Sequence, residues 1–433
     1  MSRPFEWLLA ACLAGLVAAL LFVLVRGGEY LVEPKYALLM VGTPMALIIG
    51  LFGLRVWAPS LIPGATLSLV ALGVALLSAE AVFLSGDTSV WGNQDLVADR
   101  AEFLTALGPA ANPQPNFFSK DLVRRSGGEE YRSVLSTDRG ELLPLTGVAD
   151  ATVAMCRDSD AHWQTFRSDK YGFSNPNELW DGRVPALLAV GDSHVQGWCV
   201  SLAQSFMGRI RASVANTINL GVAGNGPLAD LALLREYGRQ ARPAKVLWMF
   251  TLANDVSDLD RESRTPILRN YVEPSHGQGL MGRQPEIDRS LRDFAAASTA
   301  QGKASIDWAE VTRRLLTLYD VRLRFQVDRG SVEEPNYTLF RRVMTEARNE
   351  VAAWGGELVF VFLPSQLALR GEAPGQAEVG AIVRELRIPI IDVTEAFAAQ
   401  PDPPALFQAR EGTHYSEPGH ALVASTILAA LAR

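Results

Sequence analysis

The first 85 residues contain three apolar stretches, 7–25, 37–54 and 61–84, and nothing else in the chain restricts its folding as strongly. An α-helix rises about 1.5 Å per residue, so roughly 18 residues are needed to cross about 30 Å of hydrocarbon. Each stretch reaches about that length. A cleavable signal peptide competes for the first, but that stretch is long, lacks a clear small-x-small cleavage site and is followed by two more. The sequence therefore predicts three transmembrane helices within residues 1–86. Glu80, near the end of the third, reads as an anchor that snorkels to the interface, and Pro44 as a bend in the second.

Three spans put the chain ends on opposite sides of a membrane. Arg3 and Arg55 fall on one side, Arg26 and Lys35 on the other, so the positive-inside count does not choose between orientations. Cysteine usage bears on the choice. Cys12 sits in a span and reads as a small apolar residue, whereas Cys156 and Cys199 both lie in the polar part. A bond between them requires an oxidising compartment and so faces that part outward; two buried thiols are the other reading.

Beyond the spans the chain reads as an ordinary folded domain. Its 433 residues allow two or three units, and 48% hydrophobic content excludes a disordered chain. A net charge of -7 with no long basic run excludes nucleic acid as the main partner. No His, Cys or carboxylate cluster has metal-ligand spacing and no phosphate loop occurs, so neither metal nor cofactor is expected.

Residues 87–170 read as a linker or wrapping segment followed by a small antiparallel β element. The breaker cluster is Asn112-Pro113-Gln114-Pro115-Asn116, and the runs 131–135 and 151–155 flank Asp138-Arg139-Gly140. From residue 171 the pattern changes to short apolar runs at 184–190, 217–220, 245–252, 358–363 and 389–393, the signature of strands buried on both faces. Helical patterns at 202–213, 228–240, 337–354, 378–386 and 418–431 lie among them. Alternation of the two predicts a doubly wound α/β domain with a parallel sheet over 171–433. Residues 256–335, rich in Arg and Asp, read as an insertion that forms a lid or a substrate-reading subdomain.

Ligands of such a sheet collect beyond the carboxyl ends of its strands. The first strand runs into Gly191-Asp192-Ser193-His194, where a serine between strand and helix is exposed at the sheet edge and the following N–H groups can face an oxyanion. The second leads into Gly221-Val222-Ala223-Gly224-Asn225-Gly226-Pro227, whose backbone can approach a ligand closely. The third leads into Ala253-Asn254-Asp255, and Glu411-Gly412-Thr413-His414 precedes the last helix. A nucleophile, a Gly N–H, an Asn amide and an acid three residues before a His are the parts that acyl transfer at an ester requires.

These four blocks, in this order, resemble the SGNH hydrolase superfamily, also called GDSL esterases, and the segment Tyr171-Gly172-Phe173-Ser174-Asn175-Pro176 is similar to its membrane-anchored bacterial branch. The resemblance implies an SGNH-type α/β fold behind three transmembrane helices and a small β element. It implies Ser193 as nucleophile, His414 as general base, and Gly224 and Asn254 as oxyanion-hole donors. Two positions depart from the family pattern: Glu411 stands where Asp is usual before the His, and Ala253 where Gly usually precedes the Asn. Glu411 would orient His414 as the acid of a triad does. Asp192 reads as a turn-fixing carboxylate, His194 and His420 as structural, and Asp255 and Asp258 as solvated.

The resulting expectation is an ester-bond hydrolase in a bacterial cytoplasmic membrane, its catalytic domain facing the periplasm or exterior. The expected substrates are O-acyl groups, such as acetyl, on an envelope polysaccharide or glycolipid. An O-acyltransferase with the same residues, supplied by a membrane acyltransferase partner, is one alternative. A carbohydrate-binding or assembly protein without activity is the other.

Overall fold

The computed structural model describes residues 3–25, 41–85, 114–126, 130–157, 162–251, 254–300, 336–371, 375–408 and 414–432, with single positions at 103, 106 and between 311 and 321. Five of the apolar runs form one sheet of parallel strands: β1 (Leu187–Val190), β2 (Thr217–Asn219), β3 (Lys245–Thr251), β4 (Glu357–Leu363) and β5 (Ile390–Asp392), in the order β5-β4-β3-β1-β2. The longest pairing runs from Lys245 against Glu357 to Thr251 against Leu363. β1 starts three residues later than the apolar run suggested. Val184 is 67% exposed, and the Pro185 that follows has no N–H to give to a ladder.

Strand side chains alternate between faces, and here both faces are covered. Val190, Trp248, Phe250, Phe360 and Phe362 join a core with the helices Pro227–Leu233 and Tyr337–Ala353. Ala189, Leu247, Met249, Val361 and Leu363 join a second core with the helices Phe206–Ser213 and Glu417–Leu431. Burying one large apolar side chain contributes roughly 1.5–3 kcal/mol, so this two-sided burial dominates the stability of the domain. The pattern read as one helix over 228–240 is a helix, Pro227–Leu233, that widens into a π turn at Leu234–Gly238 and closes at Arg239–Ala241.

The small β element is larger than its two predicted runs. Gln114–Pro115, Thr152–Arg157 and Trp163–Arg167 form one three-stranded sheet, and Val123–Arg125 pairs with Tyr131–Ser133 in a hairpin. Phe117, Leu122, Leu142, Leu143 and Leu145 are buried in the same core as the parallel sheet. Of the two readings of this stretch, the segment from 114 onward thus wraps onto the unit of the parallel sheet and is not a linker.

The reading of 256–335 as a single inserted lid also needs correction. Leu259, Leu268, Tyr271, Leu280, Ile287 and Leu291 are buried in the core shared with the sheet, on elements that include the helices Asp255–Ser263 and Gln284–Ala300. The apolar face of this stretch was obscured by its many Arg and Asp residues. By packing, the chain divides into one unit of 96–302 with 335–433 and another of 1–95 with 303–334.

The second unit contains the helices Arg3–Val25, Thr43–Trp57 and Ile62–Ser85. Among the described residues, Pro59–Leu84 is the one helical stretch long and apolar enough to cross a membrane; Glu6–Ala18 and Thr43–Trp57 are apolar but shorter. Leu9, Leu51 and Ile62 form a small core, while Ile49, Phe52, Leu67, Leu72 and Val82 face outward. Glu80 is not a snorkelling anchor: it is fully buried, and its carboxylate accepts the backbone N–H of Val321 at 2.8 Å.

His420, read as structural, is buried and accepts the backbone N–H of Phe206 at Nδ1, 3.2 Å away. Burial, with smaller contributions from nearby His194 and His414, holds its pKa down to about 3. The unfolded chain then binds a proton near pH 6.5 that the folded chain refuses, so stability is complete above that value and falls as the pH drops from about 6.5 towards 3. Denaturant unfolding of His420→Asn across this range should show a shallower acid limb than wild type.

Candidate active site

β1 ends at Val190, and the chain turns at once. Gly191 has a φ of 149°, and a Cβ at this position would stand 2.6 Å from Val195 Cγ2 and 3.1 Å from Met249 Cβ, so only glycine fits. Asp192 then caps the short helix Ser193–Gln196, accepting the N–H of His194 at 2.9 Å. Because Asp192 is the cap, the hydroxyl of Ser193 is not used for that purpose. Its Oγ lies 2.9 Å from His414 Nε2, a contact across 221 residues.

His414 is positioned by its neighbours in the chain. Tyr415 is fully buried, pairs with Phe407 across an isolated bridge and donates its hydroxyl to the carbonyl of Pro364, just past the end of β4, at 2.6 Å. The N–H of Gln408 donates to the His414 carbonyl at 2.8 Å. The His414 ring stacks on Trp198, with centroids 5.7 Å apart. Glu411 and Ala253, the two departures from the family pattern, lie outside the described residues.

The Asp192 carboxylate joins the ends of β1 and β3. It faces His194 Nδ1 at 3.2 Å and accepts the Asn254 amide at 3.0 Å. Burial alone would raise its pKa, but the charge and hydrogen bonds of His194 and the amide of Asn254 outweigh it and bring it down to about 2. The second amide hydrogen of Asn254 goes to Asp258 Oδ2, also at 3.0 Å. Both donors of Asn254 are therefore held by carboxylates in this structure.

Asp255 and Asp258, expected to be solvated, are buried. Burial pushes both above the usual carboxylate range, and the charge of Asp192 adds to the effect. Asp258 also binds Arg261 at 2.7 Å, and Arg261 donates onward to the Gly224 carbonyl at 3.0 Å. Gly224 adopts a φ of 79° in the loop after β2. The loop is held from beneath: Gln196 accepts the N–H of Ala223, and Glu262 accepts those of Gly226 and Leu228. Among the described residues, the backbone N–H groups of Ser193 and Gly224 have no acceptor. They are the two donors open to an incoming oxyanion.

No family model matches the sequence, and no curated protein does. Among solved structures, the lipase/acylhydrolase from Enterococcus faecalis is similar at 15% identity, covering 57% of this chain and 94% of its own, with a TM-score of 0.33. An acetylxylan esterase from Geobacillus stearothermophilus is similar at 14% identity over 57% of this chain and 94% of its own, with the same score. At such values the reading rests on the residues of this chain: the Ser193–His414 pair, the Gly224 loop and Asn254, gathered at the carboxyl edge of a parallel sheet.

Several residues of this site were not singled out by motif. Asp258 and Arg261 sit four and seven positions after Asn254, on the helix previously assigned to the insertion. Trp198 and Gln196 follow the Ser193 turn, and the segment 116–120 reaches the site from the small β element, with Ser119 donating to Asn225 at 3.1 Å. The near-helical spacing of Asn254, Asp258 and Arg261 was the available signal. None of these residues, nor any other described group, forms a cluster of ligands suited to a metal ion.

Cys156 and Cys199 are bonded, with Cα atoms 5.7 Å apart. Cys199 directly follows Trp198, so the bond ties the small sheet to the turn beside His414. Constraining a loop of this length stabilises by about 4 kcal/mol. Cys199→Ser should therefore lower the unfolding free energy by several kcal/mol, and mapping of non-reduced peptides from wild type should recover Cys156 joined to Cys199.

Proposed function

We propose that the protein is a membrane-anchored serine esterase that removes O-acyl groups, such as acetyl, from an envelope polysaccharide or glycolipid. The observation that carries this reading is the 2.9 Å contact between Ser193 Oγ and His414 Nε2 beside two unengaged backbone N–H groups. His414 takes the Ser193 proton as the oxygen attacks the ester carbonyl, and the N–H groups of Ser193 and Gly224 receive the developing oxyanion. Asn254 joins them by releasing the hydrogen it gives to Asp258. His414 then returns the proton to the departing alcohol; a water, deprotonated by His414, attacks the acyl-enzyme carbonyl, and His414 passes that proton to Ser193 Oγ as its bond to the acyl carbon breaks and the acid leaves. Glu411 is the group assigned to orient His414.

Three helices anchor the chain in this reading, with the catalytic unit on the outer face of a bacterial cytoplasmic membrane. Apolar side chains facing outward from the helical unit support the anchoring, and the Cys156–Cys199 bond supports an oxidising compartment. A sugar hydroxyl in place of water would make the same residues an acyltransferase, with a membrane acyltransferase as its supplier.

Release of p-nitrophenol from its acetate ester by the detergent-solubilised full chain tests the chemistry. Ser193→Ala and His414→Ala should each lower the rate at least about 100-fold with unchanged thermal unfolding. Retention of more than about a tenth of the rate by either would overturn the assignment. Glu411→Gln should lower kcat sharply by favouring the wrong imidazole tautomer, whereas Glu411→Asp should be tolerated. Equal rates for Glu411→Gln and wild type would remove Glu411 from the triad. Adding a sugar acceptor separates hydrolysis from transfer.

A further inference from the structure

A row of half-exposed side chains leads away from the catalytic histidine. His414 stacks on Trp198 at 5.7 Å, Trp198 meets Phe118 at 5.7 Å, and Lys120 Nζ stands 5.6 Å over the Phe118 ring. The row then returns to the site. A Cβ on Gly224 would lie 2.8 Å from Lys120 Cδ and Cε and 3.1 Å from Nζ, so the lysine lies directly against the loop whose N–H faces the oxyanion. Lys120 is exposed, and among the described residues no carboxylate pairs with its amine. Other exposed cations on this unit do find carboxylates, as Lys170 does with Asp181 and Arg342 with Glu273.

Resting on the esterase reading above, we propose that Lys120, with Phe118 and Trp198, forms a subsite for an acidic sugar, so that the substrate is an acylated glycan bearing carboxylates. The apolar C–H face of a pyranose packs on aromatic rings, and Trp198 and Phe118 supply two of them next to the reacting ester. A single ammonium matches the single charge of a uronic acid, whereas a phosphate dianion calls for several donors, and the neighbouring Arg261 is already held by Asp258 and the Gly224 carbonyl. With the ester carbonyl at Ser193 and Gly224, the carboxylate of the same or the adjoining sugar meets Lys120. Lys120 in this role sets specificity and takes no part in the proton transfers.

The test compares deacetylation of acetylated oligogalacturonate and acetylated xylooligosaccharide by the full chain in detergent. Wild type should favour the acidic substrate, and Lys120→Met should reduce the ratio of the two kcat/KM values about five-fold through KM, the scale of one partly exposed ion pair. Lys120→Arg should restore the ratio, and added salt should erode it in wild type alone among wild type and Lys120→Met. No preference in wild type, or an equal loss on both substrates in Lys120→Met, would overturn the inference while leaving the esterase reading intact. If wild type hydrolyses neither oligosaccharide, calorimetric binding of the same two to wild type and Lys120→Met decides the subsite separately: weaker binding of the acidic one alone supports it, and equal binding overturns it.

Discussion

The enclosed carboxylate of Asp192 receives the N–H of His194 and the amide of Asn254 and faces the His194 ring nitrogen. These contacts join the ends of β1 and β3, the two adjacent strands that bear the serine turn and the asparagine. A buried carboxylate with so many favourable partners stays ionised, and an ionised group in such a place is costly to displace. The placement of Ser193 follows from it. Asp192 caps the helix, the next residue opens it, and the hydroxyl of that residue points to His414 rather than back to the chain.

Beneath this hub lies an unusual amount of buried acid. Asp230 and Asp255 are pushed well above the usual carboxylate range, chiefly by burial and then by neighbouring acids, and burial brings Glu262 to about 7. Only a few of these groups are matched by cations, Arg261 being the one beside Asp258. Others bind the backbone, Asp255 accepting the N–H of Thr251 and Glu262 that of Leu228 at the start of the helix Pro227–Leu233. The Gly224 loop is thereby tied to the helix Asp255–Ser263 from below, which leaves its upper side, with the open N–H of Gly224, to a ligand.

Ring contacts and a disulfide complete the other side. The Cys156–Cys199 bond and the stacking of Trp198 on His414 make the small β element a wall of the site, although it precedes the serine turn by tens of residues. A wall built from an N-terminal segment gives such a site a means of selecting substrates without altering the residues that react. Lys120 and Phe118 belong to that segment, Ser193 and His414 to the sheet.

What the sequence by itself determined is local. Strands buried on both faces show as continuous apolar runs, so all five were legible within a few residues, and Ser193, Gly224, Asn254 and His414 were singled out by their place in loops at strand or helix ends together with the resemblance those four blocks carry. Asp192 was read correctly as the residue that fixes the turn, since its partner is two positions away. Tertiary structure alone decided the rest. Asp258 was expected to be solvated because nothing in its own neighbourhood shows that the helix carrying it is pressed against Pro227–Leu233, and the Arg and Asp residues around Leu259 and Leu268 hid the apolar face that makes 255–300 part of the core. Lys120, Phe118 and Trp198 carry no motif; they meet at the site only after the small β element folds onto the sheet. Periodicity records which face of an element is buried, whereas the identity of what covers that face depends on contacts between residues far apart in the chain, and a single sequence does not encode those in any local pattern.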